Sequence, residues 1–90
     1  MNLDAYLSKP DAPSMAAFAR DLGLNADQVR QWRHGHDARR PSPANCVDIE
    51  QATDRAVMRW DLRPDDWHRI WPELIGQPGA PAIPEPAKAA

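Results

Sequence analysis

Between Met15 and Gly35 the apolar positions fall at the offsets of two short helices joined by a tight turn. Met15, Phe18, Ala19 and Leu22 recur at the three- and four-residue spacing of one helical face, Gly23 follows, then Leu24, and Val29 and Trp32 make a second face. Helices joined so closely must touch at one point, and Ala19 is small enough to stand there. Gly23 supplies the left-handed backbone that ends the first helix, a conformation a Cβ resists. Asn25 with Gln28 three residues later forms a capping box that opens the second helix, which is expected to end near Gly35. The pattern predicts a helix-turn-helix. Its second helix keeps Ala26, Asp27, Arg30, Gln31 and His34 on the outward side, a mostly polar strip with hydrogen-bonding reach.

The flanking segments read as further short helices. Asn2 to Lys9 places Leu3, Tyr6 and Leu7 on one side and is ended by Pro10 to Pro13, after which Ser14 caps the next helix. Ser42 caps a fourth helix with Pro43 in its first turn, and Cys46, Ile49 and Thr53, together with Ala52, are expected to face the core. Val57 and Leu62 are expected to be buried. Pro64 begins another helical turn, with Asp65 and Asp66 near its positive end. Trp67, Ile70 and Trp71 form an apolar patch that either seals the core or meets a partner, and Pro72 biases Trp71 away from helix. From Gly76 to Ala90 the chain is nearly all Gly, Pro, Ala and charge, too little apolar surface to offset ordering, so this segment is expected to be disordered. The expected architecture is all-α, a compact bundle of about five short helices over residues 1–75 followed by the 76–90 tail.

Composition narrows the function classes. A single cysteine, Cys46, cannot form an internal disulfide, no apolar run is long enough to span a bilayer, and no charged-then-apolar amino-terminal signal is present, so a cytoplasmic protein without membrane contact is expected. Cys46 reads as a small core hydrophobe rather than a nucleophile. There is no glycine-rich phosphate loop and no nucleophile beside a base in a recognisable motif, so an enzyme is not expected. His34 and His36 lack a third ligand in sequence, so neither a metal nor a cofactor is expected. The formal net charge of −2 runs against phosphate binding, but its distribution does not. Arg30, Arg33, Arg39 and Arg40 stand against Asp37 alone, with the two histidines between them.

Several short motifs bear a family likeness. Met1-Asn2-Leu3, Tyr6-Leu7-Ser8, Gln31-Trp32-Arg33-His34-Gly35, Arg40-Pro41-Ser42-Pro43-Ala44 and Cys46-Val47-Asp48-Ile49-Glu50 resemble the prophage Cro-like regulators of the YdaS type. Ala52-Thr53, Ala56-Val57 and Asp61-Leu62-Arg63-Pro64-Asp65 with Trp67 continue the likeness. The resemblance implies a compact helical fold like the amino-terminal domain of the lambda repressor and a DNA-binding transcriptional regulator; some relatives are labelled antitoxins beside a toxin gene. Two positions depart from the pattern: Met15 stands where a glutamine often opens the first motif helix, and Met58 where relatives often carry Thr or Ser.

On this reading the helix from Ala26 to His34 enters the major groove, which alone distinguishes all four base pairs. Arg30 and Gln31 are the leading base readers, with Ala26 and His34 beside them. Asp27 either accepts from a cytosine amine or stabilises the helix start. Arg30 has two further roles open, phosphate contact and solvated surface charge. Ser14, Arg33, Arg39 and Arg40 are the phosphate candidates, the alternative for the arginines being a solvated loop. One small module reads few base pairs, so a homodimer on a near-palindromic double-stranded operator is expected, with half-sites ~34 Å apart. Trp60, Trp67, Ile70, Trp71 and Leu74 are the dimer-surface candidates, with core packing as the competing role. The rival class is a protein-interaction module or antitoxin that binds a toxin or another regulator without reading DNA.

Overall fold

The computed structural model describes residues 1–34 and 40–83. Among these, six α-helices and a 3-10 turn follow one another without a strand: α1 (Leu3–Leu7), α2 (Met15–Leu22), α3 (Ala26–Arg33), α4 (Pro43–Ala52), α5 (Arg59–Leu62), α6 (Trp67–Ile70) and the 3-10 turn Pro72–Leu74. The all-α expectation holds, with one more helix because the segment after Thr53 breaks into single turns.

The first four helices begin where local chemistry dictates. Asn2 Oδ1 accepts from the Ala5 N–H at 2.7 Å, Ser14 Oγ from Ala17 at 3.1 Å, Asn25 Oδ1 from Gln28 at 2.9 Å and Ser42 Oγ from Asn45 at 3.2 Å. Each bond satisfies one amide that the helix leaves without a partner. Gln28 Oε1 completes the box on α3 by accepting from the Asn25 N–H at 3.4 Å. At the other end of α2, Gly23 adopts φ +73° and the Leu24 N–H reaches back to the Ala19 carbonyl at 2.8 Å. No atom stands within 4 Å of where a Cβ on Gly23 would lie, so backbone angle rather than crowding requires the glycine.

α2 packs on α3 and α4, α1 on α3, α4 on α5, and α5 on α6, which continues into the 3-10 turn. The core between them holds Leu3, Leu7, Phe18, Ala19, Val29, Cys46, Ile49, Val57, Leu62, Trp67, Trp71 and Leu74. Trp32, Leu22 and Met15 are half-buried at its edge. Thr53 is buried as expected, with its hydroxyl donating to the Ile49 carbonyl at 2.9 Å and accepting from the Val57 N–H at 3.1 Å. Ala52 is exposed, contrary to expectation, and Glu50 is buried instead. The reason lies outside α4. Glu50 Oε1 accepts from both the N–H and the Nε of Arg59 at 3.1 Å, satisfying an amide at the start of α5. Asp61 Oδ2 takes the Met58 N–H at 2.9 Å. A carboxylate from α4 and one from α5 itself thus satisfy two amides at the start of α5, those of Arg59 and Met58.

One correction concerns the carboxyl-terminal third. Trp67 is wholly buried, Trp71 is 8% exposed and Leu74 7%, so these dimer-surface candidates belong to the chain's own core. Single turns interrupted at Pro64 and Pro72 let the backbone bend repeatedly, folding this segment back on itself. Trp60 and Ile70 are half-buried against the same core, Trp60 meeting Trp67 edge-on at 5.8 Å between ring centroids. Beyond Gly76, where the tail was expected to begin, residues 76–83 include a turn closed by the Ala80 N–H on the Gln77 carbonyl at 2.9 Å, and Ala80 packs against the core. Gly79, at φ +87°, lies over Trp60, where a Cβ would sit 3.8 Å from the indole. The remainder of the expected tail, residues 84–90, lies outside the described residues.

Candidate nucleic-acid interface

α3 is held by its inner residues and presents the rest. Val29 is fully buried and Trp32 half-buried, which leaves Asp27, Arg30 and His34 exposed and Ala26 and Gln31 half-buried along the other side. The sequence-predicted strip is therefore one continuous flank of one helix, and its start is set by the Asn25–Gln28 box. Asp27 and Arg30, one turn apart, form an ion pair through Asp27 Oδ1 and Arg30 Nη1. The pair cancels charge on the strip, but both side chains are more than half exposed and solvent screens it, so Arg30 can exchange Asp27 for another acceptor.

The phosphate candidates divide. Ser14 is exposed at the start of α2; accepting from Ala17 leaves its hydroxyl proton to donate. Arg33 is turned inward across the helix pair: its Nε donates to Asp4 Oδ1 at 2.7 Å and its Nη2 to Ser8 Oγ at 2.9 Å, so it ties α3 to α1. Arg40 is paired through Nη1 with Asp65 Oδ1, and its Nη2 lies 3.4 Å from Asp66 Oδ2. Neither guanidinium stands as the unpaired loop cation the sequence suggested. Arg39 and His36 lie outside the described residues, as does Gly35, the expected end of the helix; α3 closes at Arg33 with His34 as its cap. No group of three His, Cys, Asp or Glu among the described residues is arranged to hold a metal, and no described helix is long and apolar enough to cross a membrane.

Sequence reasoning missed the residue that organises the far side of this region. Arg63 grips Asp66 with two bonds, Nε to Oδ1 at 3.1 Å and Nη2 to Oδ2 at 2.9 Å, while Nη1 donates to the Pro41 carbonyl at 2.8 Å. Fork-on-carboxylate geometry of this kind is the strong form of an ion pair. The hydrogen bond to Asp66 raises the Arg63 guanidinium above its ordinary range, and the hydrogen bond from Arg40 holds the Asp65 carboxyl below its own. The three-residue spacing of Arg63 and Asp66 is the local signal for their pairing; nothing local points to Pro41. Asp65 and Asp66 were expected to serve the start of the last helix. They do stand there, Asp66 as the residue that precedes α6, and they also pair with Arg40 and Arg63, while neither gives α6 a side-chain cap bond.

α3's carboxyl end, Arg40–Pro41 and the Asp61–Asp65 segment border one open cleft, with Asn2 to Asp4 on its other side. These features define a small helical protein whose helix-turn-helix offers one polar helix flank, ringed by arginines that are already paired. The chain belongs to the family described as bacterial toxin YdaS, which it matches over residues 12–70, from before α2 to the end of α6. Comparison with curated proteins gives no match.

Proposed function

We propose that the protein is a sequence-specific DNA-binding regulator that reads the major groove with α3. The observation that carries this reading is the flank formed by exposed Asp27, Arg30 and His34 with half-buried Gln31, on a helix fixed by a capping box and braced from behind by α2 and α1. Arg30 is the guanine reader, its two-nitrogen fork matched to O6 and N7; Gln31 reads adenine, and Ser14 donates to a phosphate at the start of α2. Binding as a homodimer to a near-palindrome follows from the few base pairs one α3 spans, with half-sites ~34 Å apart. Of the dimer-surface candidates, Trp60 and Ile70 are the two left half-buried rather than buried, and they are the ones available for the contact between copies.

The test is an anisotropy titration of the whole protein against duplex DNA from upstream of its own coding sequence, with scrambled competitor, at two salt concentrations. Competitor-resistant binding with a log–log salt slope of about −5, the value for about six phosphates per dimer, is expected. Arg30→Ala and Gln31→Ala should each cost roughly 1–3 kcal/mol on the preferred sequence and much less on scrambled DNA. Equal losses on both would assign the two side chains to the backbone rather than to bases.

A second reading has its own support. Arg33 and Arg40 are occupied by carboxylates, the net charge is −2, and the family's description names a toxin, all of which suit a module that docks on a protein partner. Absence of duplex binding at low salt by well-folded protein would favour it.

A further inference from the structure

Every described arginine from Arg30 to Arg40 is paired with a carboxylate, but the three pairs are not equivalent. Arg30 and Asp27 sit on the same exposed helix flank. Arg33 is mostly covered and has a second partner in Ser8, so it is a tie between helices. Arg40 differs from both. Its side chain is 35% exposed, and Asp65 is 65% exposed. Its other neighbour, Asp66, lies at 3.4 Å and is already gripped by Arg63. Asp65 is therefore the nearer of the two carboxylates on the Arg40 guanidinium and the one with no other arginine partner. The pair sits on the rim of the cleft that α3's last turn also borders.

A carboxylate oxygen on a guanidinium nitrogen takes the place a phosphate oxygen would take, and Asp65 Oδ1 holds Arg40 Nη1 in this way. We propose that Asp65 is an internal phosphate competitor: it holds Arg40 away from the nucleic-acid backbone and thereby limits how tightly the protein binds any duplex. This rests on the DNA-binding reading of α3 and adds to it a residue, far from the recognition helix in sequence, that sets sequence-independent affinity. The depressed titration of Asp65 agrees, since Arg40 keeps that carboxylate ionised and in place. The consequence is that Arg40 contributes little to binding in the native chain and becomes a backbone contact when Asp65 is neutralised.

The experiment is a double-mutant cycle on the full chain, Asp65→Asn, Arg40→Gln and both together, titrated against the upstream duplex and a scrambled duplex at several salt concentrations. Asp65→Asn should raise affinity for both sequences by on the order of threefold to tenfold and steepen the log–log salt slope by about 0.9 per chain. Arg40→Gln alone should change affinity less than about twofold, and the double variant should lose the gain. A gain that persists in the Arg40→Gln background would reflect removal of one negative charge and would overturn the proposal. So would an Asp65→Asn protein indistinguishable from the native one while the native protein binds. If no variant binds either duplex at low salt, the DNA-binding reading itself fails and the proposal falls with it.

Discussion

Cys46 illustrates how burial decides chemistry at a single side chain. Its thiol is fully covered, and desolvation pushes its pKa up to about 12 from the ordinary 9.0. The folded state therefore keeps a proton that the unfolded chain releases above pH 9. Stability from this source is complete below pH 9 and falls as pH rises toward 12, by at most ~1.4 kcal/mol per unit. Comparing urea unfolding of the native chain with Cys46→Ala between pH 8 and 10.5 should show the steeper decline only in the native chain; parallel curves would refute this origin. Alkylation by iodoacetamide at pH 8 should require unfolding. A second residue-scale feature lies in the turn after α4, where Asp54 and Arg55 both take left-handed backbone, at φ +54° and +69°. Only glycine adopts that region without steric cost. Arg55→Gly keeps the N–H bond to the Glu50 carbonyl, at 2.8 Å, and should stabilise the protein by about 0.5–1 kcal/mol in urea melts. Destabilisation would mean that the arginine side chain contributes more than its backbone costs.

At the scale of elements, starts are local and orientations are not. Ser14, Asn25 and Ser42 cap the helices they were expected to cap, because an acceptor three residues ahead of an orphan amide needs nothing from the rest of the fold. α5 needed help from elsewhere, since Glu50 reaches its first turn from α4. α1 shows the same dependence. Five residues are too few for an isolated helix, so its place on α3 relies on Leu3 and Leu7 in the core and on Arg33 bonded to Asp4 and Ser8. Arg33→Ala should cost about 1 kcal/mol, solvent screening having reduced the charge contribution. Hydrogen exchange at the amides of Tyr6 to Ser8 should quicken in that variant while the amides of α4 follow global stability alone. Uniform loss of protection would make Arg33 a contributor to the whole fold rather than to the α1–α3 join.

For the molecule as a whole, the decisive residue is Trp67. Wholly buried and touching Trp60 and His68 ring to ring, it joins the carboxyl-terminal turns to the rest. Its indole N–H has no protein hydrogen-bond partner among the described residues, so Trp67→Phe gives up volume but no such bond. Trp67→Ala should cost roughly 3–5 kcal/mol, a large part of what so small a domain possesses. Trp67→Phe should lower the melting temperature less and leave sedimentation behaviour unchanged. A shift in self-association without a change in melting would return Trp67 to the dimer surface.

The amphipathic spacing from Met15 to Trp32, the glycine stop and the capping residues were legible in the sequence, and with them the helical class and the outward flank of α3, because these depend on neighbours within four positions. The family likeness was legible for the same reason, being carried by short contiguous motifs. Three things depended on tertiary structure. The pairing of Arg33 with Asp4 and of Arg40 with Asp65 joins residues 29 and 25 positions apart. The burial of Glu50 in place of Ala52 answers an amide on another helix. The aromatic patch of Trp67 and Trp71 fits either a core or an interface by composition, and only the bends at Pro64 and Pro72 turn it inward. Local periodicity determines which face of a helix is apolar; which charge meets which, and whether an apolar face finds its cover within one chain, is decided when distant segments close on one another.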